Sequence, residues 1–203
     1  MRIGITLDEV LRDTLTQFLY TYEKYYNVET DLKIEDITSK NFSKFVKFDS
    51  LDDMNKFLYE EASLEIFGHA DQKLNNLMSK FNTFLIDIND EEEHTVEIVS
   101  REVHSSIPST LFFLSKLSCR AENIRFVQDH ENYWDGVDVL VTADPKALDT
   151  KPDNKLSVKI KAPYNSESSG DFELDSILPF IRYESLRNKI LNTKIINYEN
   201  IED

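Results

Sequence analysis

Apolar residues fall into two textures along the chain. At the start, the compact run RIGITL (2–7) gives way to polar residues, as a short buried strand does. Asp13 or Thr14 then offers a helix cap, and Leu15, Phe18, Leu19 and Tyr22 recur on one helical face. From 35 to 88 the spacing stays helical, with Ser50 or Asp52 as a cap and a break near FGHAD (67–71). Two or three helices are expected there, with no strong strand between them. Strand-like runs return as HTVEIVS (94–100), ENIRFV (122–127), VDVLV (137–141) and KLSVKI (155–160). Between the first two of these, IPSTLFFLSKLSC (107–119) is helical and takes Pro108 in its first turn. The stretch APYNSESSGDFE (162–173) has the composition of a loop. Beyond 175 the helical pattern resumes, with Pro179 early and Phe180, Ile181, Tyr183, Leu186, Ile190 and Leu191 in one apolar stripe.

Strands separated by helices or crossovers imply a mainly parallel, Rossmann-like, three-layer α/β sheet. Ligands of such sheets sit beyond the carboxyl ends of the strands, and Thr6, Ser100 and Thr142 each fall at one of those ends. The expected division is an α/β core at 1–34 and 89–174, a helical cap inserted at 35–88, and a C-terminal helical extension at 175–203.

Charge and composition narrow the function classes. A formal net charge of −15 opposes direct contact with a nucleic-acid backbone, which depends on Lys and Arg displacing counterions. It suits an acidic protein in solution, or one that docks on a basic partner. Cys119 is the only cysteine, so no intrachain disulfide forms and cysteine-rich zinc sites are excluded; it reads as buried filler. No apolar run approaches the roughly 18 residues of a membrane span, and MRIGITL leads into a strand rather than a signal peptide. Glycine-rich phosphate loops are absent, and His69, His94, His104 and His130 are scattered without metal-helix spacing. The aromatics of FLYTYEKYY (18–26) suit a core or an interface, and DEEE (90–93) a solvated loop.

Three segments carry a resemblance. IGITLDEVL (3–11), VEIVS (96–100) and VDVLVTADPKALDTKP (137–152) resemble, in order and strand-end placement, motifs of the haloacid dehalogenase (HAD) superfamily. The similarity is greatest to small nucleotidase-like members with a helical cap, and it covers most of residues 1–165. In that family the first carboxylate of the first motif attacks the phosphoryl group and ligates Mg²⁺, and here that position is Thr6. Asp8 matches the second carboxylate, the general acid/base, and Ser100 matches the phosphate-binding hydroxyl. The acidic pair of the fourth motif is replaced by Thr142 and Ala143, with Asp144 one place late. The charge-offsetting lysine has no match: Lys116 comes a strand too early, and from 126 to 145 only His130 could be positive.

A threonine hydroxyl is a poor nucleophile without an adjacent base and a weaker Mg²⁺ ligand than a carboxylate. Phosphate-ester hydrolysis demands upwards of ~20 kcal/mol of barrier reduction, mostly from positioned charge and metal. The departures therefore imply a catalytically inactive HAD-like protein, a pseudoenzyme in which Thr6, Asp8, Ser100, Thr142 and Asp144 form a vestigial pocket with no cofactor and no metal. Four of them also have a plain structural reading: Asp8 and Asp144 as turn residues, Thr6 and Ser100 as strand-end residues. The expected role is a structural or interaction component, such as a phage virion or assembly protein in a ring, neck or tail. Such a component would have protein partners in a homo-oligomer or larger assembly, without nucleic-acid or membrane contact. It would be intracellular or virion-associated rather than secreted. The alternative is a Mg²⁺-dependent HAD-type phosphatase or 5′-nucleotidase that keeps Asp8, Ser100 and Asp144 in altered roles. A third reading is a sensor that binds a phosphorylated ligand through Ser100.

Overall fold

In a computed structural model, which describes residues 1–90 and 94–199, the strand-like runs assemble into one parallel sheet. Its strands are β1 (Arg2–Ile5), β2 (Thr95–Arg101), β3 (Ile124–Val127), β4 (Val139–Thr142), β5 (Leu156–Ile160) and β6 (Phe172–Leu174), in the order β3-β2-β1-β4-β5-β6. Every neighbouring pair is parallel, so each connection has to cross over a face of the sheet. The helices are α1 (Thr14–Tyr26), α2 (Leu51–Lys56), α3 (Leu77–Asp90), α4 (Ser106–Lys116), α5 (Pro145–Asp149), α6 (Leu178–Arg182) and α7 (Glu184–Glu199). Residues 91–93 of the expected acidic loop lie outside the described residues.

Alternation along the strands sorts their side chains onto two faces. Ile3, Ile5, Ile98, Val139, Val141 and Val158 pack on one face with Phe81 and Phe84 of α3, Phe113 of α4, Phe180 of α6 and Ile190 of α7. Val99, Val127 and Leu140 pack on the other with Tyr133, Trp134 and Ala147. Gly4 faces this second cluster, where a Cβ would stand 3.0 Å from Leu140 Cδ1 and 3.1 Å from Val137. The result is a Rossmann-like three-layer α/β fold. Among the described residues no helix is long and apolar enough to cross a membrane.

A second apolar cluster sits apart from the sheet. It joins Leu15, Phe18 and Tyr22 of α1 to Ile37, Phe42, Met54, Phe57, Ile66 and Phe67, with Phe18 stacked on Phe42 at a centroid distance of 4.1 Å. Ser50 caps α2 by accepting from Asp53 N at 3.1 Å. Beyond α2 the backbone widens, with Ala62 N bonding Phe57 O and His69 N bonding Leu64 O across five residues. These clusters divide the chain differently from the 35–88 expected of the sequence: α1 packs with the cap residues, and α3 packs with the sheet. Two further differences are local. The expected loop at 162–173 ends in β6, a three-residue edge strand. The C-terminal helix is broken at Tyr183 (φ −105°, ψ 95°) into α6 and α7.

Candidate active site

Ile5 of β1 sits in register between Ile98 of β2 and Val141 of β4, so the carboxyl ends of these strands emerge side by side. Thr6 N donates to Val141 O at 3.0 Å. The Thr6 hydroxyl donates to Thr142 Oγ1 at 3.1 Å, and Thr142 Oγ1 also accepts from Asp144 N at 3.0 Å. Asp144 caps α5, its Oδ1 accepting from Lys146 N at 2.9 Å and Ala147 N at 3.2 Å. Its other oxygen meets Lys40 Nζ at 2.7 Å. His130 Nδ1 lies 3.4 Å from Asp144 Oδ1. Burial alone would raise the Asp144 pKa, but Lys40 and His130 outweigh it and hold the carboxyl far below its usual range.

After β1 the chain turns sharply, because Val10, Leu11 and Arg12 all donate their N–H to Leu7 O. That capture ends the strand before the expected residue 7. Glu9 takes a left-handed conformation in the turn (φ 60°), and its Oε1 accepts from Leu15 N at 2.8 Å. Asp13 holds the N-cap position of α1, as one of the two residues expected, but makes no side-chain cap bond, and the Glu9 carboxylate supplies that bond instead. The turn brings Asp8 onto the Arg12 guanidinium: Asp8 Oδ1 accepts from Nη2 at 2.7 Å, Nε at 3.1 Å and Thr14 Oγ1 at 2.6 Å. Among the described residues no hydrogen bond reaches Asp8 Oδ2. Burial pushes the Asp8 pKa up, but Arg12, Lys40 and Thr14 pull it down further, so the group is held below its normal value.

Arg12 is fully buried. It also donates to Glu102 Oε1 at 2.9 Å and Thr110 Oγ1 at 2.6 Å, and lies over the rings of Phe67 and Phe113. Glu102 Oε1 accepts the Ser100 hydroxyl at 2.9 Å as well, while Glu102 Oε2 is buried without a partner. Ser100 is thus turned inward to a carboxylate rather than toward a ligand.

A cavity of about 390 Å³ opens at these strand ends. Asp8, Glu9, Lys40, Arg101, His130 and Lys146 supply its acidic and basic wall, and Met54, Leu58, Tyr59 and Phe67 of the second cluster, with Leu51 of α2, supply the apolar wall. Of the five expected pocket residues, Asp8 alone lines it; Thr6, Ser100, Thr142 and Asp144 are buried behind the wall. Lys40, Arg12, Arg101 and Glu102 were not singled out in the sequence, and His130 joins the site rather than staying a loop residue. Lys116, the nearest lysine to the family's pattern, donates instead to Ala70 O at 2.8 Å.

The Mg²⁺ implied by the resemblance does not fit these residues. The hydroxyls of Thr6 and Thr142 bond each other, Asp8 is paired with Arg12, and Asp144 with Lys40. No group of three or more His, Cys, Asp or Glu among the described residues could hold a metal ion.

No protein-family model matches the sequence, and no curated protein matches it. Solved structures do. A haloacid dehalogenase-like hydrolase from Bacteroides fragilis superposes with a TM-score of 0.59 at 13% identity, over 87% of this chain and 97% of that one. A HAD-superfamily hydrolase of subfamily IA from Geobacter sulfurreducens gives 0.54 at 12% identity, over 89% and 94%. CbbY from Rhodobacter sphaeroides, solved in complex with phosphate, gives 0.52 at 11% identity, over 88% and 95%. The chain has a haloacid dehalogenase-like fold. The expectation of a catalytically inactive structural or virion component, not an enzyme, is corrected by these comparisons: the Bacteroides fragilis and Geobacter sulfurreducens neighbours are both described as hydrolases. One part of its physical premise, the missing positive charge, is corrected as well. The positive charge sought between 126 and 145 arrives from elsewhere, as Lys40 and Arg101.

Proposed function

We propose that this HAD-like chain hydrolyses a small phosphate ester, with the anion held by Lys40, Arg101 and Lys146 and with Asp8 as the carboxylate that takes a proton from the attacking water. The observation that carries this reading is Asp8 itself: one oxygen is anchored by Arg12 and Thr14, and the residue lines a cavity rich in cations. Water would form its bond to phosphorus as the ester P–O bond breaks. The proton passes to Asp8 Oδ2 and then to the departing oxygen. The low pKa keeps Asp8 ionised at neutral pH and makes it a modest base, so fixed positive charge supplies much of the stabilisation of the transition state. Thr6 is assigned no role as nucleophile, since its hydroxyl proton is directed at Thr142 and no base adjoins it. The apolar wall of Leu51, Met54, Leu58 and Phe67 favours an ester with an apolar or aromatic group.

Phosphate release from a panel of aryl and alkyl phosphates tests this. Aryl esters are expected to give the higher kcat/KM, and Lys146→Ala to raise KM. Asp8→Asn is expected to lower kcat by about 10²–10⁴-fold, the usual contribution of a positioned base. Release no faster with the native protein than with Asp8→Asn on every ester would overturn the reading.

A further inference from the structure

We propose that Lys40 is a built-in cation standing in for a divalent metal, so that the site works without a metal cofactor. The lysine comes from the loop between the helical turns Ile34–Asp36 and Phe42–Lys44, far in sequence from the strand ends it serves. Its ammonium lies 2.7 Å from Asp144 Oδ2 and is also attracted by Asp8. It sits 5.4 Å from the centroid of the Tyr164 ring, whose face favours a cation. One ammonium thus answers both carboxylates that remain from the family's pattern.

Among the described residues Asp8 Oδ2 is the one oxygen of these two carboxylates left without a hydrogen bond, and it stands beside fixed positive charge. Asp144 Oδ1 is committed to two backbone N–H groups of α5, and Asp8 Oδ1 to Arg12 and Thr14. Mg²⁺ demands near-octahedral oxygen coordination and gives up water reluctantly. Here it would enter beside an ammonium and a guanidinium, with like charge on two sides. The catalytic consequence of this inference rests on the hydrolase reading, whereas its binding consequence does not.

The test is run on the full chain with three arms. Mn²⁺ titrated into the native protein and followed by electron paramagnetic resonance is expected to stay free. Mg²⁺ at about 10 mM, compared with EDTA at matched ionic strength, is expected to leave Tm unchanged. A real site half-filled at ~0.1 mM would instead raise Tm by roughly 5–10 °C. Lys40→Ala is expected to lower Tm and regain part of the loss in Mg²⁺, while Lys40→Arg stays near the native value and indifferent to the metal. Stoichiometric Mn²⁺ binding by the native protein, or a Lys40→Ala protein with no response to Mg²⁺, would overturn the proposal. Should Lys40→Ala fail to fold, the Mn²⁺ arm decides alone. A protein indifferent to metal yet inactive on esters would refute the hydrolase reading and leave this one standing.

Discussion

Replacing Arg12 by methionine removes the hub of the site while keeping most of the side chain's apolar bulk. The guanidinium is fully buried and donates to Asp8, Thr14, Phe67 O, Thr110 and Glu102. The two carboxylates it serves are unequal. The Asp8 side chain is 27% exposed and keeps Thr14, whereas the Glu102 side chain is 0% exposed. Glu102 already has one oxygen without a partner and would be left a buried charge held only by the hydroxyls of Ser100 and Thr110. Stranding one member of a buried ion pair costs about 3–5 kcal/mol, which in a chain of this size lowers Tm by roughly 6–20 °C. Urea unfolding read by two probes, with calorimetry beside it, measures the loss. Adding Glu102→Gln removes the stranded charge and is expected to restore at least half of it, a coupling that independent sites would not give. A loss below about 1 kcal/mol for Arg12→Met, or no relief from Glu102→Gln, would refute the electrostatic account of this network.

Other expectations concern pH, the cap and the sheet edge. Asp144 and Asp8 have folded pKa values below their unfolded ones. Their contribution to stability is therefore complete above about pH 4 and lost as pH falls through the folded values. Urea midpoints taken downward from about pH 6 should fall, and Asp144→Asn should flatten that fall. Phe18→Ala, at a fully buried position stacked on Phe42, is expected to cost about 3–5 kcal/mol and to loosen the cap first, as amide exchange in α1 would report. Gly170→Ala would set a Cβ 2.7 Å from Lys159 Cβ and 2.9 Å from Phe172 O. A loss of about 1–3 kcal/mol in urea, with faster exchange in β6, is expected.

The parallel sheet was legible because β1, β2, β4 and β5 are compact apolar runs; Thr142 ends β4, while Thr6 lies one residue past β1 and Ser100 one before the end of β2. Local pattern could not say which core a helix joins. The amphipathic spacing of Leu77–Ile88 is the same whether α3 covers the sheet or the cap, and only the tertiary fold decides. The edge strand β6 is too short for periodicity to register. At the site, Asp8 was found by its distance from β1, but Arg12 was not, since a charged residue after Val10 and Leu11 reads as surface. Its partners Glu102 and Thr110 lie 90 and 98 residues away. The spacing of Asp8 and Arg12, one helical turn apart, was the available clue. Lys40 stands in the polar stretch DITSKNFS (36–43), which carries no periodic signal, and outside the interval where the family's pattern directs a search for a lysine. Its place at the site comes from the loop folding over Asp144.

The most direct test is phosphate release from an aryl phosphate in excess EDTA, with the native protein and Asp8→Asn assayed side by side. Turnover that persists in the chelator and falls by about 10²-fold or more in the variant is the expected result. Turnover that Asp8→Asn leaves untouched, or no turnover with or without added Mg²⁺, would contradict the assignment of this cavity as a hydrolytic site.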